Sequence, residues 1–178
     1  MIKALESFDE IRPIWHNMYF PQEDTAFQSI EYNESCWECF GLGKKLKLLV
    51  YFDRSNQPMA ILPLWLVKGG ELRFINDRGT DYCDMIYLRN ANMLDVVQEF
   101  VEFIDSMDDV KSVFLMNLRI TSPLLAYFRL YKNHAFIYSL NNFSYLRCFQ
   151  SETPLSNFQH LSSHRRKYLK SIITKSSN

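Results

Sequence analysis

KLKLLVYFDRSNQPMAILPLWLVKGGELRFI, residues 45–75, is the stretch that decides the fold. Lys45–Asp53 and Met59–Val67 read as strands, and Arg54–Gln57 between them as a turn. Gly69-Gly70 is a hairpin signal, because a tight turn needs positive φ that glycine adopts freely, and Glu71–Ile75 then reads as a third strand. The longest apolar runs, Leu48–Phe52 and Met59–Val67, are far short of the ~20 residues that span a bilayer.

On the N-terminal side the period changes. Ser7-Phe8-Asp9-Glu10 has the form of a capping box, with Ser7 as N-cap and Glu10 reaching back. Phe8, Ile11, Trp15 and Met18 follow at helical spacing, and Pro13 inside the pattern predicts a kink or a restart. Residues 24–40 read as one or two further helices. Gly41 and Gly43 are expected to end them through the left-handed C-cap conformation.

On the C-terminal side, Asn76–Asp84 is a polar loop and Met85–Leu88 a short strand. Asn92–Met107 is an amphipathic helix with Leu94, Val97, Val101 and Ile104 on one face. Ser112–Leu118 is apolar and predicts a central strand buried on both sides. Ser122-Pro123 pairs an N-cap with proline at the first helical position and opens a helix to about Tyr131. Ala135–Leu140 and Phe143–Phe149 read as strands, and Thr153-Pro154 precedes a basic helix ending near Ile173. This order predicts an α+β, three-layer fold: one mixed, twisted sheet flanked by helices on both faces, in a single domain over residues 1–178.

Composition excludes classes of function rather than choosing one. Hydrophobic residues at 47% and charged residues at 22% are ordinary for a globular fold, and only 5 Gly and 6 Pro exclude low-complexity and collagen-like readings. Met1–Glu6 has no apolar segment of signal-peptide type, so a cytoplasmic location with four reduced cysteines is expected. Net charge is zero but unevenly placed. After Glu152 come Arg165, Arg166, Lys167, Lys170 and Lys175 with no acid, which leaves −5 for residues 1–152. An anionic partner or a solvated helix accounts for such a segment.

Cys36-Trp37-Glu38-Cys39 has no second ligand pair at zinc spacing and sits late in a helical stretch, so it reads as structural, with no metal. Glu38-Cys39-Phe40-Gly41-Leu42-Gly43 superficially resembles a pyrophosphate loop. It begins with an acid and leads into a strand, so it reads as a helix C-cap. G-x-S-x-G is absent, and none of His16, His134, His160 or His164 lies in a nucleophile context. Two motifs remain. Asp77–Asp84 (DRGTDYCD) gathers three acids, an Arg and a Tyr in a loop between strands, where carboxylates can hold an amine or take its proton. Leu161–Lys170 (LSSHRRKYLK) places cations in the first turns of a helix, where the dipole disfavours them unless an anion is near.

Taken in order, the early Trp-containing helix, Ala60-Ile61-Leu62-Pro63-Leu64 in a hairpin strand, the Gly79–Asp84 loop, Ser122-Pro123 and Leu161–Lys170 resemble the N-terminal half of FemAB-like and CelD-like acetyltransferases of the GNAT superfamily. The resemblance implies a GNAT-like domain that is the first half of a two-domain acyltransferase, or a short relative. It implies N-acyl transfer from an acyl thioester or aminoacyl ester to a small amine. Asp81, Tyr82 and Asp84 are then candidate acceptor contacts, and Arg165, Arg166 and Lys167 candidate anion contacts. Acyl-CoA is a possible co-substrate, with no bound cofactor. A chain that lacks a phosphate loop is not expected to be self-sufficient. Two other classes stand beside this one. A non-catalytic module of the same fold would pair with a second GNAT-like domain or with itself. An RNA-binding domain is disfavoured by the zero net charge and the lack of RNP or G-x-x-G motifs.

Overall fold

In the computed structural model, residues 1–89, 91–130 and Ser163 are described, and all but Ser163 belong to one unit, Met1–Phe136. Its centre is the stretch that opened the sequence analysis. Strand β2 (Lys45–Phe52) pairs antiparallel with β3 (Pro58–Val67) in the register Leu48↔Pro63, and β3 pairs antiparallel with β4 (Glu71–Phe74). The first turn is held by Asp53, whose Oδ1 accepts from the N–H groups of Ser55 and Gln57, and by Asn56 in the left-handed region at φ 60°. The second turn uses Gly69 and Gly70 at φ 100° and 85°, as the sequence predicts.

Strand β1 (Ile2–Leu5) lies antiparallel beside β2 and extends the sheet at a place where the sequence reading has no strand. Helix α1 (Phe8–Met18) runs unbroken through Pro13, which is exposed in its second turn. Ser7 caps it by accepting from the Asp9 N–H, so the cap is present without the expected reach-back from Glu10 among the described hydrogen bonds. A short 3₁₀ turn (Ala26–Gln28) and α2 (Ile30–Phe40) follow. Gly41 does end α2, but at φ −78° it is not left-handed. Glycine is needed there because a Cβ would lie 2.5 Å from the Trp37 carbonyl oxygen.

Beyond β4 come β5 (Ile86–Tyr87), α3 (Met93–Asp105), β6 (Ser112–Phe114) and α4 (Pro123–Leu130). The sheet order is β1-β2-β3-β4-β6, with β5 paired to β3, and β4–β6 is the one parallel step among the described strands. The expectation of a central strand over Ser112–Leu118 is not met. The strand is three residues long, stands at the end of the described sheet, and all three residues are exposed. The central strand is β3, buried from Met59 to Leu66.

Alternation along β3 builds two cores. Leu62, Leu64 and Leu66 face α3 and α4, meeting Val97, Phe100, Ile104, Leu124 and Tyr127. Ile61 and Trp65 face α1 and α2, meeting Ile11, Trp15, Met18, Ile30 and Cys36. Helices therefore cover both faces of a mixed sheet, an α+β arrangement. Among the described residues no helix is long and apolar enough to cross a membrane. The expected strands at 135–140 and 143–149 and the basic helix lie outside the described residues.

Candidate functional site

Pro63 is where the sheet makes room for a site. Its carbonyl accepts from the Ile75 N–H, so the side of β3 on which proline lacks a donor is the side facing β4 and β5. Just there β3 changes partner: β4 pairs with Leu64–Val67 and β5 with Ala60–Ile61. The chain between, residues 75–85, leaves the sheet as a loop at the carboxyl end of β4. The segment at the carboxyl end of the parallel neighbour β6 meets it. Cys83 and Leu118 form a parallel bridge, the Cys83 N–H donates to the Asn117 carbonyl (3.1 Å), and Asn117 Nδ2 donates to the Thr80 carbonyl (2.9 Å). Asn117 takes a left-handed φ of 56° to do so. The carboxyl ends of parallel strands, where a crossover separates them, are a common place for ligands.

The loop's three acids look equivalent in sequence and are separated by the fold. Asp77 turns back to Arg73, whose Nη1 donates to its Oδ2 at 3.3 Å. Asp81 and Tyr82 are exposed, and Tyr82 lies 6.4 Å between ring centroids from Phe27, which is itself packed edge-on against Tyr32. Asp84 is buried. Its Oδ1 accepts from the Ser122 hydroxyl at 2.7 Å and from the Met85 N–H at 2.9 Å. Among the described residues no donor is paired with Oδ2. Burial pushes the Asp84 carboxyl up to about 6, against the opposing pull of Ser122, the Met85 N–H, Arg119 and Arg89.

Ser122 was expected to cap α4. Its hydroxyl is instead given to Asp84, and only its carbonyl plays the N-cap part, accepting from the Ala126 N–H. The floor beneath Asp84 is set by Gln28. This buried amide donates to the Met85 carbonyl, and its own backbone carbonyl takes the Trp15 indole N–H, both at 2.9 Å. The second core thereby anchors the Met85–Ile86 peptide, next to Asp84 in the chain.

Around Asp84 stands a group that the sequence reading missed. Arg89 donates to the Tyr87 hydroxyl (2.7 Å) and to Glu23 (2.9 Å), and lies 3.5 Å from Asp24 Oδ1. Burial raises both Asp24 and Tyr87, and Arg89 opposes each rise. These residues come from the loop after α1 and from β5, and nothing in their local spacing announces that they meet. Of the six candidate residues, Asp81, Tyr82 and Asp84 share one loop, with Asp84 in a different environment from the other two. Arg165, Arg166 and Lys167 lie outside the described residues. Among the described residues no group of three or more His, Cys, Asp or Glu is placed to hold a metal ion. Cys36 is buried and Cys39 exposed, both free.

Chemically the site offers a carboxyl that ionises close to neutrality with one oxygen engaged, a hydroxyl bonded to it, and guanidinium and phenol groups beside it. No family model matches the chain, and neither the curated proteins nor the solved structures contain a match.

Proposed function

We propose that the chain is a GNAT-like N-acyltransferase domain whose loop 75–85 shapes the acceptor side of a cleft. The observation that carries the reading is Asp84. A buried carboxyl with one oxygen held by Ser122 and, among the described residues, no donor on the other, pushed up to about 6 by burial, suits the capture and deprotonation of an ammonium. In the transfer, the carboxylate takes one proton from the ammonium and the freed amine attacks the acyl carbon. The C–N bond forms, the bond to the thiol or ribose leaving group breaks, and the second N–H proton leaves with that group as its S–H or O–H. Asp81 and Tyr82 at the exposed rim contact the rest of the acceptor. The order of elements supports the reading, since helices precede a hairpin sheet and a helix leads into a parallel strand.

The test is calorimetry of the chain with a panel of primary amines at pH 5 to 8. An acceptor amine should bind above pH 6 and lose about tenfold in affinity per pH unit below it, as the carboxylate is protonated. Asp84→Asn should abolish that pH dependence and the binding. No amine bound, or equal binding by Asp84→Asn, overturns the reading. Weak or absent binding of acetyl-CoA is expected, because no glycine-rich loop opens a helix.

One observation favours the interaction-module reading instead. Val113, Phe114, Met116 and Ile120 are exposed along and after β6, Ile120 at 77%. A dimer in sedimentation together with failure of the amine test would move the assignment there.

A further inference from the structure

Asp77 and Arg78, at the start of the same loop, help line a polar cavity of about 450 Å³. Strand register assembles it. Lys44 precedes β2, Lys68 follows β3, Trp65 is paired with Arg73 across β3 and β4, and Asp77 and Arg78 follow β4. Four cations and one acid therefore line it. Arg73 is already engaged: Glu71 at 2.6 Å, Asp77 at 3.3 Å, and the Phe114 ring beneath its guanidinium at 4.9 Å. Among the described residues, Lys44, Lys68 and Arg78 have no carboxylate within ion-pair distance. The surplus is three positive charges around one cavity.

Lys44 is not extended into solvent. Its Nζ is drawn over the Trp65 ring, 3.1 Å from the centroid, and burial followed by the nearness of Arg78 pushes its pKa down. An ammonium placed there with no carboxylate at ion-pair distance among the described residues leaves room for an anion. Among the described residues, Trp65 Nε1 and Asp77 Oδ1 on the lining residues are buried without a hydrogen-bond partner, so the wall is polar behind the cations. A phosphate supplies the negative charge that the cations lack. Its tetrahedral dianion can face three cations from different directions, whereas a planar carboxylate meets one fork at a time.

We propose that this cavity binds a phosphate dianion, free or carried on a small ester, with Lys44, Lys68 and Arg78 holding it. The proposal uses neither Asp84 nor acyl transfer, so it stands or falls independently of the function proposed above.

The experiment is calorimetry on the full chain with ribose 5-phosphate, inorganic phosphate and citrate at one fixed ionic strength. Ribose 5-phosphate should bind one per chain at about 1 mM or tighter. Lys68→Gln/Arg78→Gln removes two exposed cations without touching the core, so its melting should match the parent. It should weaken the ester by about tenfold or more. Lys3→Gln/Arg54→Gln removes the same charge at the other end of the β2–β3 hairpin and should leave binding unchanged. Inorganic phosphate binding as well as the ester would keep the site and assign it to free phosphate. Citrate binding as tightly, equal loss in both double variants, or no saturation by either phosphate compound would overturn the proposal.

Discussion

Asp84→Asn should make the protein more stable at neutral pH and leave it unchanged in acid. The wild-type carboxyl rises from an ordinary 3.8 to about 6 on folding, and burial is the leading cause. The sign follows from proton counting. Between these two values the folded state holds more protons than the unfolded one, so stability falls as pH rises through that window and stays lowered above it. At ~1.4 kcal/mol per pH unit the full cost of the buried charge is about 3 kcal/mol. Asparagine has the same shape, and its Oδ1 can keep the bonds from the Ser122 hydroxyl and the Met85 N–H, now without the charge. Urea unfolding of both proteins from pH 3.5 to 8 measures the difference, in which every other titration cancels. The difference should be near zero below pH 4, grow between 4 and 6, and level off at ~1–3 kcal/mol in favour of Asp84→Asn. A difference that does not change with pH would refute the assignment of a buried, raised carboxyl. So would a wild type that is the more stable at pH 8.

Gly41→Ala and Gly41→Asn should both destabilise by about 1–3 kcal/mol in thermal or urea unfolding, because the new Cβ meets a backbone carbonyl. Gly43→Asn, at φ +76° with open space around it, should cost much less; tolerance of Asn at 41 would restore the left-handed cap as the reason for glycine. Iodoacetamide should label Cys39 before Cys36 and Cys83 in the native protein, as mass spectrometry of the peptides would show. Cys83, buried and pushed up to about 12, should react only on unfolding, so labelling of Cys83 at the rate of Cys39 would contradict its placement.

How far the fold could be read in advance varied with how local its causes are. The β2–β3–β4 meander was legible because two turns and two apolar runs specify it without help from elsewhere. Strand β1 was not, since Ile2–Leu5 carries no turn signal and becomes a strand only by pairing with Leu48–Tyr51. Ser112–Leu118 misled for a related reason. An apolar run such as Val113–Met116 says that a segment suits a sheet, but only its neighbours decide whether it stands at the centre or the end. Gly41 was placed correctly for the wrong cause, because the close approach of the Trp37 carbonyl is a tertiary fact.

The site was legible to a smaller extent, and Pro63 shows why. Proline inside the most buried strand contradicts the usual rule until β3 is seen to change partner on the side of the missing N–H. That change releases the loop, and the loop's composition was visible as DRGTDYCD. The division of labour among its acids was not visible, because Asp77 answers to a residue four positions back while Asp84 answers to Ser122, 38 positions on. Stability offers no account of Asp84. A neutral amide would keep the same bonds and relieve about 3 kcal/mol, so the fold tolerates this acid without needing it. A group that costs stability because it ionises near neutrality, and that among the described residues has no donor on one oxygen, is what the proposed proton exchange with an acceptor amine requires.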